Sequence, residues 1–108
     1  MRCFRRCFRC HRYEKEYNNE INLEKLGMLK NNNPSLILID VRSPQEYAEG
    51  HMPGSICVPS YDIHKMANKI LPDKQAVIAI YCENGIRSRK AVNMLKSMGY
   101  KNVYNLII

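Results

Sequence analysis

A chain of 108 residues is long enough for one modest hydrophobic core and too short for two domains. No apolar run approaches the roughly 18 residues of a membrane helix, and the arginine-bearing N-terminus lacks the apolar stretch of a complete secretory signal. The formal net charge of +7 is uneven: residues 1–15 carry net +5 and residues 16–108 net +2, so a nucleic-acid role would rest almost wholly on the tail.

Residues 1–20 show no core periodicity and read as a basic, cysteine-containing, disordered tail, leaving 21–108 as the domain. Cys7-Phe8-Arg9-Cys10-His11 matches the C-x-x-C-H pattern of haem attachment. Cys3, Cys7 and Cys10 have a spacing found in iron–sulfur radical enzymes, and with His11 they have zinc-ligand chemistry. These matches are short and lie in an Arg/Cys-biased tract; haem attachment needs export, and the cluster enzymes need a much larger barrel. The expectation is therefore no metal and no cofactor. Five cysteines is an odd count, and Cys57 and Cys82 in the domain body suggest reduced thiols in a cytoplasmic setting rather than a disulfide framework.

Ile21 is expected to start a short edge strand. Asn22 is a plausible N-cap for a helix whose apolar face is Leu23, Leu26, Met28 and Leu29, weakened by Gly27 and ended by Asn31-Asn32-Asn33-Pro34. Leu36–Val41 is a continuous apolar run with Asp40 near its end, the pattern of a strand buried on both faces of a parallel sheet. Ser43-Pro44-Gln45-Glu46 is a capping box with proline at the first helical position, and Gly50 stops that short helix.

His51-Met52-Pro53-Gly54 reads as a turn and Ser55–Pro59 as a short strand. Ile63, Met66, Ala67 and Ile70 recur at helical spacing until Leu71-Pro72-Asp73-Lys74. His51 is expected to form structural hydrogen bonds, and His64 to lie on a solvated face. Gly99 suits the position just past a helix end, before a last strand over 103–108. Strands alternating with helices imply an α/β fold: a small parallel sheet flanked by helices on both faces.

The stretch from Val77 to Ser88 organises the rest. An apolar strand delivers Cys82, a short loop with Gly85 follows, and Arg87 and Ser88 open a helix along Ala91, Val92, Leu95 and Met98. Cysteine at the carboxyl end of a strand sits where open α/β sheets bind ligands. The N–H groups of such a loop converge and favour negative charge, which lowers a thiol's pKa. A bland role for Cys82, as a buried core thiol, does not account for Gly85, Arg87 and Ser88 behind it.

Asp40-Val41-Arg42 with Glu46-Tyr47, then Gly50–Ser55, then Tyr81-Cys82 with Gly85 and Arg87-Ser88, then Gly99-Tyr100 with Val103–Leu106, resemble a single-domain rhodanese in motif and in order, over roughly 21–108. The resemblance implies a rhodanese-like fold and a sulfurtransferase. Cys82 would take sulfane sulfur from a donor such as thiosulfate or a persulfide, hold it as a persulfide, and yield it to a thiol or cyanide; a protein acceptor is a further option. Glu83, Asn84, Gly85, Ile86, Arg87 and Ser88 would bind substrate through loop N–H groups and the Arg87 side chain. Asp40 and Arg42 would shape the pocket, with an Arg42–Glu46 salt bridge at its edge. Ser88 would either donate its hydroxyl or cap the helix.

Three departures from the family pattern stand out. Glu83 sets a negative charge beside the nucleophile. Cys57 stands where many members carry a polar residue and is expected to be a packed strand thiol. Similar domains usually continue past the position of Ile107-Ile108, so apolar surface is expected there. Two competing readings follow: a non-catalytic rhodanese-like binding or regulatory module, and a related phosphatase or arsenate reductase. The latter enzymes use C-x5-R, whereas Cys82 to Arg87 is C-x4-R, a smaller ring suited to a single sulfur.

Overall fold

A computed structural model describes residues 19–108; the tail motifs at Cys3, Cys7, Cys10 and His11 lie outside the described residues. In chain order the elements are β1 (Glu20–Ile21), α1 (Leu23–Asn32), β2 (Ile37–Asp40), α2 (Pro44–Glu49), β3 (Ile56–Cys57), a single 3₁₀ turn (Ser60–Asp62) running into α3 (Ile63–Ile70), β4 (Ile78–Tyr81), α4 (Ile86–Ser97) and β5 (Val103–Leu106). The five strands form one sheet in the order β1-β5-β4-β2-β3, every pair parallel.

The parallel order follows from the connections. Each strand except β1 is reached through a helix or a long loop, because a parallel neighbour requires a crossover. β4 lies in the middle and is buried along its whole length, which explains its unbroken apolar sequence. Ile78, Ile80 and Cys82 face a core built with Ile63 and Ala67 of α3 and Ala91, Val92 and Leu95 of α4. Leu38, Ala79, Tyr81 and Leu106 face the other side, against Leu26 and Leu29 of α1. Helices therefore cover both faces, as the alternating pattern predicts.

Local signals set the element ends. Asn22 caps α1 by accepting the Lys25 N–H at 2.8 Å. At α2 the capping box is complete, with Ser43 Oγ accepting the Glu46 N–H at 3.2 Å and Glu46 Oε1 accepting the Ser43 N–H at 3.0 Å. Past α4, Gly99 takes φ +102°, Gly99 N–H donates to Lys96 O and Tyr100 N–H to Leu95 O, a Schellman ending. Two expected apolar faces are narrower than the spacing suggested. Leu23 and Met28 of α1 and Met66 of α3 are exposed, because at 100° per residue only Leu26, Ile63 and Ala67 turn fully inward, with Leu29 and Ile70 partly buried beside them. Ile107 and Ile108 are also exposed.

The parallel sheet brings Asp40, Cys82 and the end of β5 to one edge. Ile80 is in register with both Ile39 and Asn105, and Tyr81 with Asp40 and Leu106.

Candidate active site

Cys82 follows the last residue of β4, and its sulfur lies beneath the first turn of α4. Gly85 is the N-cap of α4 and takes φ +83°, a left-handed conformation that glycine adopts without strain. It has no side chain with which to cap. Asn84 Oδ1 accepts the Ile86 N–H at 3.1 Å, and the sulfur itself takes the remaining role: Cys82 Sγ accepts the Gly85 N–H at 3.1 Å and the Ser88 N–H at 3.3 Å. A thiol thus occupies the place of a capping oxygen at the positive end of a 12-residue helix.

Cys82 is buried. Burial of the sulfur pushes its pKa up, but its hydrogen bonds within the loop, the N–H groups of Ser88, Gly85 and Asn84 among them, pull it down and prevail, so the thiol ionises below its ordinary 9.0. Cys57, by contrast, is pushed up by burial and by the nearby Asp40 carboxylate. It is a half-buried strand thiol in register with Asp40, with Sγ 3.7 Å from Arg42 O, and both cysteines are free.

Arg87, which the sequence places as an anion binder, makes a bidentate pair with Glu46: NH1–Oε1 at 2.9 Å and NH2–Oε2 at 3.1 Å. The Arg87 hydrogen bonds hold the Glu46 carboxyl down at about 2. Arg87 also feels the charges of Cys82 and Glu83, which raise its pKa further. This corrects the expected Arg42–Glu46 salt bridge. Arg42 instead turns back to the fully buried Asp40, with Nε at 3.0 and 3.1 Å from its two oxygens and NH2 at 2.8 Å, and a further bond from NH2 to Gly50 O at 2.6 Å. A buried carboxylate two residues away leaves an arginine little choice of partner.

Asp40 also accepts the Arg42 N–H at 2.9 Å, so it fixes the loop after β2. Burial raises its pKa, but the Arg42 hydrogen bonds more than offset this and it stays ionised. Arg42 lies over the Tyr81 ring, and Tyr81 Oη accepts the Met52 N–H at 2.9 Å. Asp40, Arg42 and Tyr81 thereby tie the turn over 50–55 to the central strands. His51 stacks on the Tyr47 ring at 3.6 Å, with Nδ1 2.8 Å from Tyr47 O; it is a hydrogen-bonding residue of that turn. His64 is exposed.

Glu83, Asn84 and Ile86 are exposed on the outer side of the loop, while Gly85 and Ser88 are buried within it. Ser88 is the third residue of α4 and its hydroxyl does not cap the helix. It lies 3.3 Å from Cys82 Sγ and 2.5 Å from Asn105 Oδ1. Asn105, on β5, is the site residue that the sequence reading missed. A polar residue on the inward side of an otherwise apolar strand, two positions from the buried Val103, was the available signal.

The chemistry open to this arrangement is that of a stabilised thiolate. Convergent N–H groups hold an anionic sulfur at the start of α4. Among the described residues no group of three or more His, Cys, Asp and Glu side chains could hold a metal ion.

The Rhodanese-like domain family model matches residues 23–107. The chain is 36% identical over 67 residues to the thiosulfate sulfurtransferase PspE of Escherichia coli (strain K12), covering 62% of this chain and 64% of that protein. It is 35% identical over 88 residues to a sulfurtransferase of Allochromatium vinosum, covering 82% of this chain and 80% of that protein. Against YrkF of Bacillus subtilis (strain 168), 34% identical over 88 residues, it covers 82% of this chain and spans 46% of the relative's length. Among solved structures, the rhodanese-like domain of the Anabaena protein Alr3790 superposes with a TM-score of 0.74 at 28% identity, covering 82% of this chain and 67% of that one.

Proposed function

Because the chain belongs to the rhodanese-like domain family, we propose that it is a sulfurtransferase that carries sulfane sulfur as a persulfide on Cys82. The observation that carries this reading is the pair of N–H donors, from Gly85 and Ser88, converging on the buried Cys82 sulfur at 3.1 and 3.3 Å.

With thiosulfate as donor, the Cys82 thiolate attacks the outer sulfur. A new S–S bond forms on Cys82, the S–S bond of thiosulfate breaks, and its electron pair leaves with sulfite. A thiol or cyanide then attacks the terminal sulfur, and Cys82 departs as the thiolate it began as. Both halves begin or end with negative charge on Cys82, so the same fixed donors serve both without rearrangement. A low-pKa thiolate needs no general base, which accords with the position of His51 in a turn.

The reading places substrate among Glu83, Asn84, Gly85, Ile86, Arg87 and Ser88, with Asp40 and Arg42 supporting the pocket from below. It assigns the activity to 21–108 and treats 1–20 as a separate tail. The free thiols of Cys57 and Cys82 support a cytoplasmic setting. No helix among the described residues is long and apolar enough to cross a membrane.

The test is intact-mass spectrometry, with peptide mapping, after treatment with thiosulfate. The expected result is a gain of one sulfur on Cys82, lost again on adding cyanide. An unchanged mass with thiosulfate and with an organic persulfide would overturn the reading in favour of a binding module.

A further inference from the structure

We propose that Asn105 is a positioning residue that controls the reactivity of Cys82 by holding the single proton of the Ser88 hydroxyl away from the sulfur. The role rests on the reading of Cys82 as the nucleophile. Ser88 and Asn105 are both buried, at 0% and 2% exposure, so solvent has little access to a polar atom that loses its partner there.

The orientation of the Asn105 amide follows from its neighbours. Asn105 Nδ2 donates to the Gly85 carbonyl at 3.3 Å, and Oδ1 lies 2.5 Å from Ser88 Oγ. Turned the other way, the amide would set Oδ1 against the Gly85 carbonyl oxygen, two acceptors facing one another. With Oδ1 toward Ser88, the amide can only accept there. The one hydroxyl proton of Ser88 therefore points to Asn105, and what Ser88 Oγ turns to Cys82 Sγ at 3.3 Å is a lone pair.

This has a consequence for each state of the cysteine. A neutral thiol donates its S–H to Ser88 Oγ and completes a chain from Cys82 through Ser88 to Asn105. A thiolate has nothing to donate. Either the hydroxyl stays on Asn105 and its lone pair faces the anion, or it rotates about Cβ–Oγ to the sulfur and leaves Asn105 Oδ1 without a donor. No covalent bond changes in that rotation. Both outcomes favour the thiol, and so oppose the N–H groups of Gly85 and Ser88.

The balance suits the chemistry. Thiolate nucleophilicity falls with thiol pKa, so a sulfur stabilised by every available donor would be ionised but sluggish. Asn105 leaves Cys82 with its backbone donors and withholds the hydroxyl.

The test measures the thiolate of Cys82 by its ultraviolet absorbance against pH, each variant subtracted from the same variant carrying Cys82→Ser. No sulfur donor is present, so the reading of Cys82 as a persulfide carrier is tested separately by mass. The variants are Asn105→Ala, Asn105→Leu, Ser88→Ala and the two Asn105 changes combined with Ser88→Ala. With Ser88 present, either Asn105 change frees the hydroxyl to donate to sulfur, and the titration midpoint falls by about one unit, tenfold more thiolate. With Ser88→Ala, the same changes leave the midpoint where it is. A rise or no change in the presence of Ser88, or an equal fall in its absence, overturns the proposal. Ser88→Ala alone decides the matter if neither Asn105 variant folds. A midpoint unchanged or lower supports the withheld proton, and a higher one shows that the hydroxyl already serves the thiolate. Should Cys82 take up no sulfur while these shifts occur, the proposed function fails and the role of Asn105 stands.

Discussion

Glu46 and Arg87, 41 positions apart in the chain, join α2 to the first turn of α4 through two parallel hydrogen bonds of 2.9 and 3.1 Å. Each has a second attachment: Glu46 completes the capping box of α2, and Arg87 lies within the loop that surrounds Cys82. The Arg87 cation is thus already paired, and Glu83, next to Cys82 in the chain, has no salt bridge among the described residues.

Glu46→Gln should release Arg87 toward an anionic donor. Glutamine keeps the capping geometry. The Michaelis constant for thiosulfate is expected to fall about threefold at low salt, with kcat little changed and the gain shrinking at high salt. An increased constant would mean that Arg87 acts only when anchored. The pair also has a pH signature. The folded-state pKa of Glu46 is lowered from 4.5 to about 2, so its contribution to stability is complete above about pH 4.5 and is lost as pH falls toward 2. Urea unfolding of the wild type should weaken over that acid window more than that of Glu46→Gln.

Cys82→Ser should abolish sulfur transfer and Cys57→Ser should retain most of it, because serine stays protonated near neutral pH and the Cys57 thiol is disfavoured as an anion. The inverse pattern in a turnover assay would relocate the site. The Cys82 thiol ionises below 9.0 in the folded state, so its contribution to stability is complete above about pH 9 and fades as pH falls through the folded pKa. The stability of wild type relative to Cys82→Ser should accordingly rise with pH from the folded pKa up to about pH 9.

Glu83→Gln should favour thiosulfate as donor. One carboxylate about 10 Å from a dianion, at an effective dielectric near 20 and with salt screening, opposes binding by about 1 kcal/mol, close to a fivefold change in the Michaelis constant. An unchanged constant at low salt would show that Glu83 points away from the bound donor.

Gly85→Ala and Gly54→Ala separate strain from site geometry. Both glycines have φ near +83°, where alanine is strained by about 1–2 kcal/mol. A Cβ on Gly54 meets nothing within 4 Å, whereas one on Gly85 lies 3.2 Å from Ile107 Cδ1. Both variants should lower the midpoint of urea unfolding, the Gly85 variant further. Only Gly85→Ala should also lose sulfur transfer, because it moves the N–H that bonds the Cys82 sulfur. Full turnover in a folded Gly85→Ala variant would show that this donor is dispensable.

The strands, helices and caps were legible in the sequence because each depends on residues within a few positions of one another. Asn22, the Ser43–Glu46 capping box, Gly85 and Gly99 act through their own backbone neighbours, and the unbroken apolar run of β4 reports burial on both faces. The position of Cys82 at a strand end before a helix was readable for the same reason. What a long polar side chain pairs with was not. Arg42 and Glu46 stand four positions apart and look like partners, yet Asp40 holds the one and Arg87 the other. Asn105 reads along the chain as one polar residue in an apolar strand, and it meets Ser88 and Gly85 only because β5 lies beside β4 in the sheet. Local backbone conformation follows from short-range steric and hydrogen-bond preferences, while the choice among several possible polar partners depends on distances that exist only once the sheet has assembled.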